Sequence, residues 1–239
     1  HRVANLWDAN NQVMLILGAP DKIVATTKQV SQMPWYQQVY PKIAEASVPV
    51  SGTDLNVEEL VKAKPDVVIS LDKGQIEKSR SAGLTTAHLS FQDYEGLKKT
   101  VVMTAEVIGT DDARARALKY VNYLEGNLKK VRDKTASLTD EQRPKVLHIA
   151  GGADVTKVDG SDSIIGEWMK AAGAKNSIDN VANYKNISLE QIIASAPDQI
   201  IVGNTDAQKG IDTIKSDAAW ADVPAVKNGK IIKNPVGTF

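Results

Sequence analysis

The feature that most constrains this chain is a segment that occurs twice. Asn56-Val57-Glu58-Glu59-Leu60-Val61-Lys62-Ala63-Lys64-Pro65-Asp66-Val67-Val68-Ile69-Ser70 aligns without gaps on Ser188-Leu189-Glu190-Gln191-Ile192-Ile193-Ala194-Ser195-Ala196-Pro197-Asp198-Gln199-Ile200-Ile201-Val202, at a constant offset of 132 residues. Each copy begins with a residue that caps a helix N-terminus and places Glu in the first turn, where the helix dipole favours it. Leu or Ile then faces inward, and Pro-Asp ends the helix ahead of an apolar run suited to a strand buried on both faces. A chain that carries this unit twice is built from two βα halves.

The remaining sequence agrees. Short apolar runs between turn signals alternate with segments of helical period, the pattern of α/β folds with mainly parallel sheets. Strands are predicted near Val3 to Leu6, Lys22 to Ala25, Asp66 to Ser70 and Thr85 to His88, then at Lys145 to Ala150, Gln199 to Val202 and Lys230 to Lys233. Helices are predicted near Asn10 to Leu17, Val57 to Lys62, Ile76 to Ala82, Tyr94 to Ile108, Ser163 to Ala172 and Leu189 to Ala194. Between the halves, Thr110 caps a run from Asp111 to about Thr135, acidic at its start and basic at its end. Leu118, Val121, Leu124, Leu128 and Val131 recur at three or four and predict one buried face. About 25 residues at about 1.5 Å each make a rod of roughly 37 Å, a stiff connector. The expected organisation is an N-terminal lobe over 1–109, a connecting helix over 110–138 and a C-terminal lobe over 139–239, with a ligand cleft between the lobes.

Composition narrows the function. The chain has 239 residues with Lys plus Arg and Asp plus Glu at 29 each, so no overall field draws it to nucleic acid. Cysteine is absent, which rules out disulfides, thiolate metal sites and thiol catalysis and suits an oxidising compartment. No apolar run reaches the roughly 18 residues of a membrane span. The abrupt start at His1 carries no signal-peptide pattern, so a signal peptide, if there was one, is expected to have been removed, and Asn234 to Phe239 is read as a loop entering a further element.

In open α/β sheets, ligands bind beyond the carboxyl ends of strands. That rule selects Trp7 and Asp8 after the first strand, Lys73 in the segment Leu71 to Gly74, Gly151 and Gly152 after the strand that opens the second half, and Asn204 and Thr205 after Val202. Trp35, Tyr36, Tyr40 and Tyr184 join them, because these aromatics fall in segments read as loops or loop edges and could grip a bulky chelate. Lys73, Lys209, Asn204, Thr205, Gly151 and Gly152 offer cations, amides and bare backbone N–H groups to an anion. Trp168 and Trp220 are assigned to packing. His1, His88 and His148 are scattered, and the latter two are read as core residues in strands, so a metal is expected to arrive chelated or as an oxyanion. Neither a dinucleotide fingerprint nor a P-loop is present.

Taken together, the opening unit from Arg2-Val3 to Leu17-Gly18, both Pro-Asp units, the spanning helix, Gly173-Ala174 and the stretch from Trp220 through Ala225-Val226-Lys227-Asn228-Gly229-Lys230-Ile231 resemble the periplasmic solute-binding proteins of ABC importers for ferric siderophores, haem and cobalamin. The resemblance implies two lobes joined by a single backbone helix, small lobe motions, no catalysis, no cofactor and a monomer. It also implies a periplasmic or lipid-anchored location and further helices after the segment matching Asn234 to Phe239. Partners would be a metal chelate and the transmembrane subunits of an ABC permease, met through one acid on each lobe; the matching positions are Glu58 and Glu190. Some members take oxyanions such as molybdate or tungstate, which stays open as an alternative. An α/β enzyme acting in the cleft is the rival from another class, since Asp8, Asp72 and Asp206 follow strands, but no triad accompanies them.

Overall fold

The computed structural model describes residues 1–203 and 206–235. The chain forms two compact units, one of His1–Phe91 with Glu95–Glu125, the other of Gln92–Tyr94 with Gly126–Phe239. The partition runs through the long helix, so the helix contributes to both units.

In the first unit, strands β1 (Val3–Asn5), β2 (Ile23–Thr27), β3 (Ser47–Ser51), β4 (Asp54–Leu55), β5 (Val67–Ser70) and β6 (Thr86–His88) form one sheet in the order β4-β3-β2-β1-β5-β6. All neighbours are parallel except β4, which pairs antiparallel with β3. Helices α1 (Asp8–Ile16), α2 (Lys28–Ser31), α3 (Pro34–Val39), α4 (Val57–Lys62), α5 (Lys73–Ser81), α6 (Tyr94–Ile108) and α7 (Asp111–Thr135) follow or connect the strands. Strand alternation divides the core between the two sheet faces. Val3 and Ile69 pack with Val13, Met14, Val101, Ala105 and Ile108, whereas their neighbours Ala4 and Val68 pack with Ala25, Leu55 and Leu60.

The second unit repeats the scheme with a mixed sheet. Strands β7 (Lys145–Gly151), β8 (Asp154–Asp159), β9 (Lys175–Asn176), β10 (Lys185–Asn186), β11 (Gln199–Val202) and β12 (Ile231–Lys233) run β10-β8-β7-β11-β12, with β9 also beside β7. The pairs β7·β11, β11·β12 and β7·β9 are parallel, and β7·β8 and β8·β10 antiparallel. Helices α8 (Ile164–Ala171), α9 (Leu189–Ala194), α10 (Ala207–Ser216) and α11 (Pro224–Lys227) complete it. Leu147, Ile149, Ile200 and Val202 share one core with Ile192, Ile211 and Trp220, while Val146 and Ile201 lie with Ile165 and Met169.

The doubled segment is a structural repeat down to single bonds. Asn56 and Ser188 each accept a backbone N–H of the first helical turn through the side-chain oxygen, from Glu59 and Gln191. Leu60 and Ile192 are both fully buried. Lys64 (φ 50°) and Ala196 (φ 45°) both end their helices in the left-handed region. The Asp66 and Asp198 carboxylates then accept the backbone N–H of Arg2 and Lys145 at the starts of β1 and β7.

Three expectations are corrected. On α7 the buried positions are Ala113, Ala117 and Leu128, whereas Leu118 is 63% and Val131 39% exposed. Leu128 keeps its expected place, with Val121 and Leu124 half-buried, while in the first half of the helix the buried positions fall on the alanines. Trp35 and Tyr36, read as loop residues, lie in α3, which Pro34 starts. His88, read as a core residue, is exposed at the end of β6, its Nε2 2.9 Å from the Leu71 carbonyl oxygen.

Candidate functional site

The carboxyl ends of β1, β2, β5 and β6 in the first unit bring the most chemistry together. Trp7 occupies the N-cap position of α1, two residues past the end of β1, and its ring lies 5.2 Å from that of Phe91, tilted by 44°, just beyond β6. Asp8 opens α1 and accepts a hydrogen bond from the Thr27 hydroxyl, which also caps α2. Burial pushes the Asp8 carboxyl above its usual value, and the Thr27 bond opposes that rise. After β5, Asp72 caps α5 by accepting the Gln75 N–H at 2.8 Å, so Lys73 is an exposed first-turn helix residue.

Beneath this edge lies a polar network that apolar periodicity does not reveal. Asn5 and Asn10 are fully buried and joined at 2.8 Å, and Asn10 donates onward to the Thr104 hydroxyl at 2.8 Å. The Asn11 amide donates to the Asn5 and Trp7 carbonyls at 2.9 and 3.0 Å, and its side-chain oxygen accepts from Thr26. The Tyr36 hydroxyl donates to the Asn11 carbonyl, and its ring is wholly buried, so Tyr36 holds this network from below and presents no face to a solute. Trp35 packs half-buried against the same core, and Tyr40 lies beside it. The signal for the network was three asparagines close together, Asn5 in an apolar strand and Asn10 and Asn11 in the helix that follows; Phe91, one of two phenylalanines, carried no pattern.

In the second unit the candidates are dispersed. Gly151 ends β7 and Gly152 (φ +61°) turns the chain into β8, a hairpin in place of the expected βα loop. The Gly152 carbonyl is packed against Gly210 of α10, where an added Cβ would stand 2.0 Å from its oxygen. Tyr184 (φ +55°) is 54% exposed, donates its N–H to Asp159 at 2.8 Å and has the Lys157 ammonium 5.9 Å from its ring centre. Lys185 is level with Ile149 through Val158, so Tyr184 sits about three residues, or about 10 Å, back from Gly151. Lys209 pairs with Asp206 at 2.9 Å. Asn204 and Thr205 lie outside the described residues. His148 is buried, with Nδ1 2.8 Å from Asp159 and its ring edge-on to Trp168; Trp220 is fully buried in the core.

Glu58 and Glu190 are exposed in the first turns of α4 and α9, with no side-chain partner among the described residues. Their neighbours are engaged: Glu59 accepts from Ser47 and the Val48 N–H, and Gln191 forms a capping box with Ser188. Among the described residues, no group of three His, Cys, Asp or Glu is placed to hold a metal ion, and no helix is long and apolar enough to cross a membrane.

A family model described as periplasmic binding protein matches residues 3–235. An uncharacterized ABC transporter substrate-binding lipoprotein of Bacillus subtilis, YvrC, is 24% identical over 238 residues, covering 96% of this chain and 71% of that protein. The Fe(3+)-citrate-binding protein YfmC of the same organism is 26% identical over 184 residues, covering 74% of this chain and 55% of its own length. The molybdate-bound structure of the periplasmic binding protein MolA from Haemophilus influenzae superimposes with a TM-score of 0.85 at 21% identity, over 98% of this chain and 78% of that one.

Proposed function

Since the chain belongs to the periplasmic binding protein family, we propose that it is the solute-binding subunit of an ABC importer, capturing a metal chelate outside the cytoplasmic membrane and passing it to a permease. The observation that carries the choice of a chelate is the Trp7–Phe91 pair at the carboxyl edge of the first sheet. Tilted aromatic rings suit a bulky organic ligand.

The charges at that edge support the same choice. Asp8 and Asp72 stand at the starts of α1 and α5, where an oxyanion would otherwise find free N–H groups and a favourable dipole. Lys209 is already paired with Asp206. A chelate that brings its own ligands also agrees with the lack of a metal-holding cluster among the described residues. Trp7, Asp8 and Phe91 are the proposed solute contacts in this unit. Glu58 and Glu190 are the proposed permease contacts, since each is an exposed, unengaged acid beside a neighbour that is already bonded.

Titration with ferric citrate, a ferric hydroxamate, hemin, cyanocobalamin and molybdate, followed by tryptophan fluorescence and melting temperature, tests the reading. A tight response to one chelate, lost in Trp7→Ala, is expected. A response to molybdate alone would replace the chelate with an oxyanion, and chemical turnover of any solute would replace binding with catalysis.

A further inference from the structure

Four buried polar side chains, joined at one step through the Thr100 main-chain carbonyl, link the segments that carry Trp7 and Phe91. The Trp7 backbone N–H donates to the Asn5 side-chain oxygen at 3.4 Å. The Asn5 amide donates to Asn10, Asn10 to the Thr104 hydroxyl, and Thr104 to the Thr100 carbonyl, each at 2.8 Å. The Thr100 hydroxyl then donates to the carbonyl of Ser90, the residue before Phe91, at 3.3 Å. Asn5, Asn10 and Thr104 are wholly buried, and Thr100 is 3% exposed.

Burying two amides and two hydroxyls costs free energy unless each is bonded, and apolar side chains of similar volume would fill the same space without that demand. What apolar residues would not supply is direction. Each member has a donor committed to a named acceptor, and the members come from β1, α1 and α6. Loosening one link frees either loop to shift against the other. We infer that Asn5, Asn10, Thr104 and Thr100 are positioning residues, which hold the Trp7 and Phe91 rings in one fixed arrangement before a solute arrives. The use of that arrangement rests on the proposed solute contacts; its existence does not.

The test therefore begins without solute. The chain has four tryptophans, so 5-fluorotryptophan labelling gives resolvable fluorine signals, with Trp7 assigned by Trp7→Phe and its dependence on the neighbouring ring by Phe91→Leu. Thr104→Val keeps the shape and removes the hydroxyl; it is expected to shift or broaden the Trp7 line while those of Trp168 and Trp220 stay in place. Thr104→Ser, which restores a hydroxyl, should return the line. Where Thr104→Val lowers the melting temperature too far, Thr100→Val cuts only the last link and carries the same expectation. An unmoved Trp7 line in the variant that folds, or a line Thr104→Ser does not restore, would overturn the relay. Failure of the solute reading is separate: it is a Trp7 line that stays unmoved when hemin or ferric citrate binds the wild-type protein.

Discussion

Asp66 and Asp198 perform the same bond in the two units: one carboxylate accepts the Arg2 N–H at 2.6 Å, the other the Lys145 N–H at 2.8 Å. Each aspartate also donates its own N–H to the carbonyl of that same residue at 2.8 Å. The motif thus pins the entry to a central strand, at Arg2 just before β1 and at Lys145, the first residue of β7, which is why Pro-Asp recurs at that point. Asp66→Ala and Asp198→Ala should each cost about 1 kcal/mol, since both carboxylates are partly solvated. The bonds lie in different units, so denaturant melts of the double variant should give nearly the sum of the single losses.

Reversing the charges of Glu58 and Glu190 tests docking apart from capture. Both acids are exposed and their side chains support no other element of the described structure, so Glu58→Lys with Glu190→Lys should leave the melting temperature and solute affinity near wild type. Uptake by cells carrying the cognate permease should be lost. Unchanged uptake would remove these residues from the docking surface.

Much of the fold was legible because its signals are local. The helices over Val57–Lys62, Tyr94–Ile108, Asp111–Thr135 and Leu189–Ala194 match expectation because caps and breakers mark their ends. The strand Ser47–Ser51 escaped because Pro49 interrupts it, and Asp154–Asp159 because its register is set by pairing with β7 rather than by its own pattern. At the candidate site, Trp7 and Asp8 followed from their place after a strand. Phe91 did not, because only the folded sheet brings the end of β6 beside the end of β1. Tyr36 looked available as an aromatic loop residue, yet Pro34 starts a helix that turns its ring into the core.

Asp8 predicts a specific pH dependence. Its carboxyl is held above the usual value chiefly by burial, so between the usual value and the raised one the folded protein binds more protons than the unfolded chain. Stability from this group is therefore greatest at low pH and falls as pH rises through that window. Asp8→Asn, which keeps an acceptor for Thr27, should melt above wild type at neutral pH, and the gap should close as the pH is lowered below Asp8's raised value. A gap that widens in acid would show that the carboxylate is stabilised by its surroundings.

Two glycines in helices should respond to alanine with opposite signs. Gly126 lies in α7 with nothing within 4 Å of an added Cβ, so alanine removes only the entropic cost of glycine in a helix. Gly126→Ala should stabilise the protein by about 0.5–1 kcal/mol. Gly210 lies in α10, where the Cβ would stand 2.0 Å from the Gly152 carbonyl oxygen and 3.3 Å from Val202. The contact that must give is the Gly152 backbone, with the buried Val202 side chain also in reach, so Gly210→Ala must push α10 away from the β7–β8 turn and should cost about 1–3 kcal/mol. Chemical denaturation of both variants measures the difference, and an unperturbed Gly210→Ala would mean that α10 is free to move relative to that hairpin.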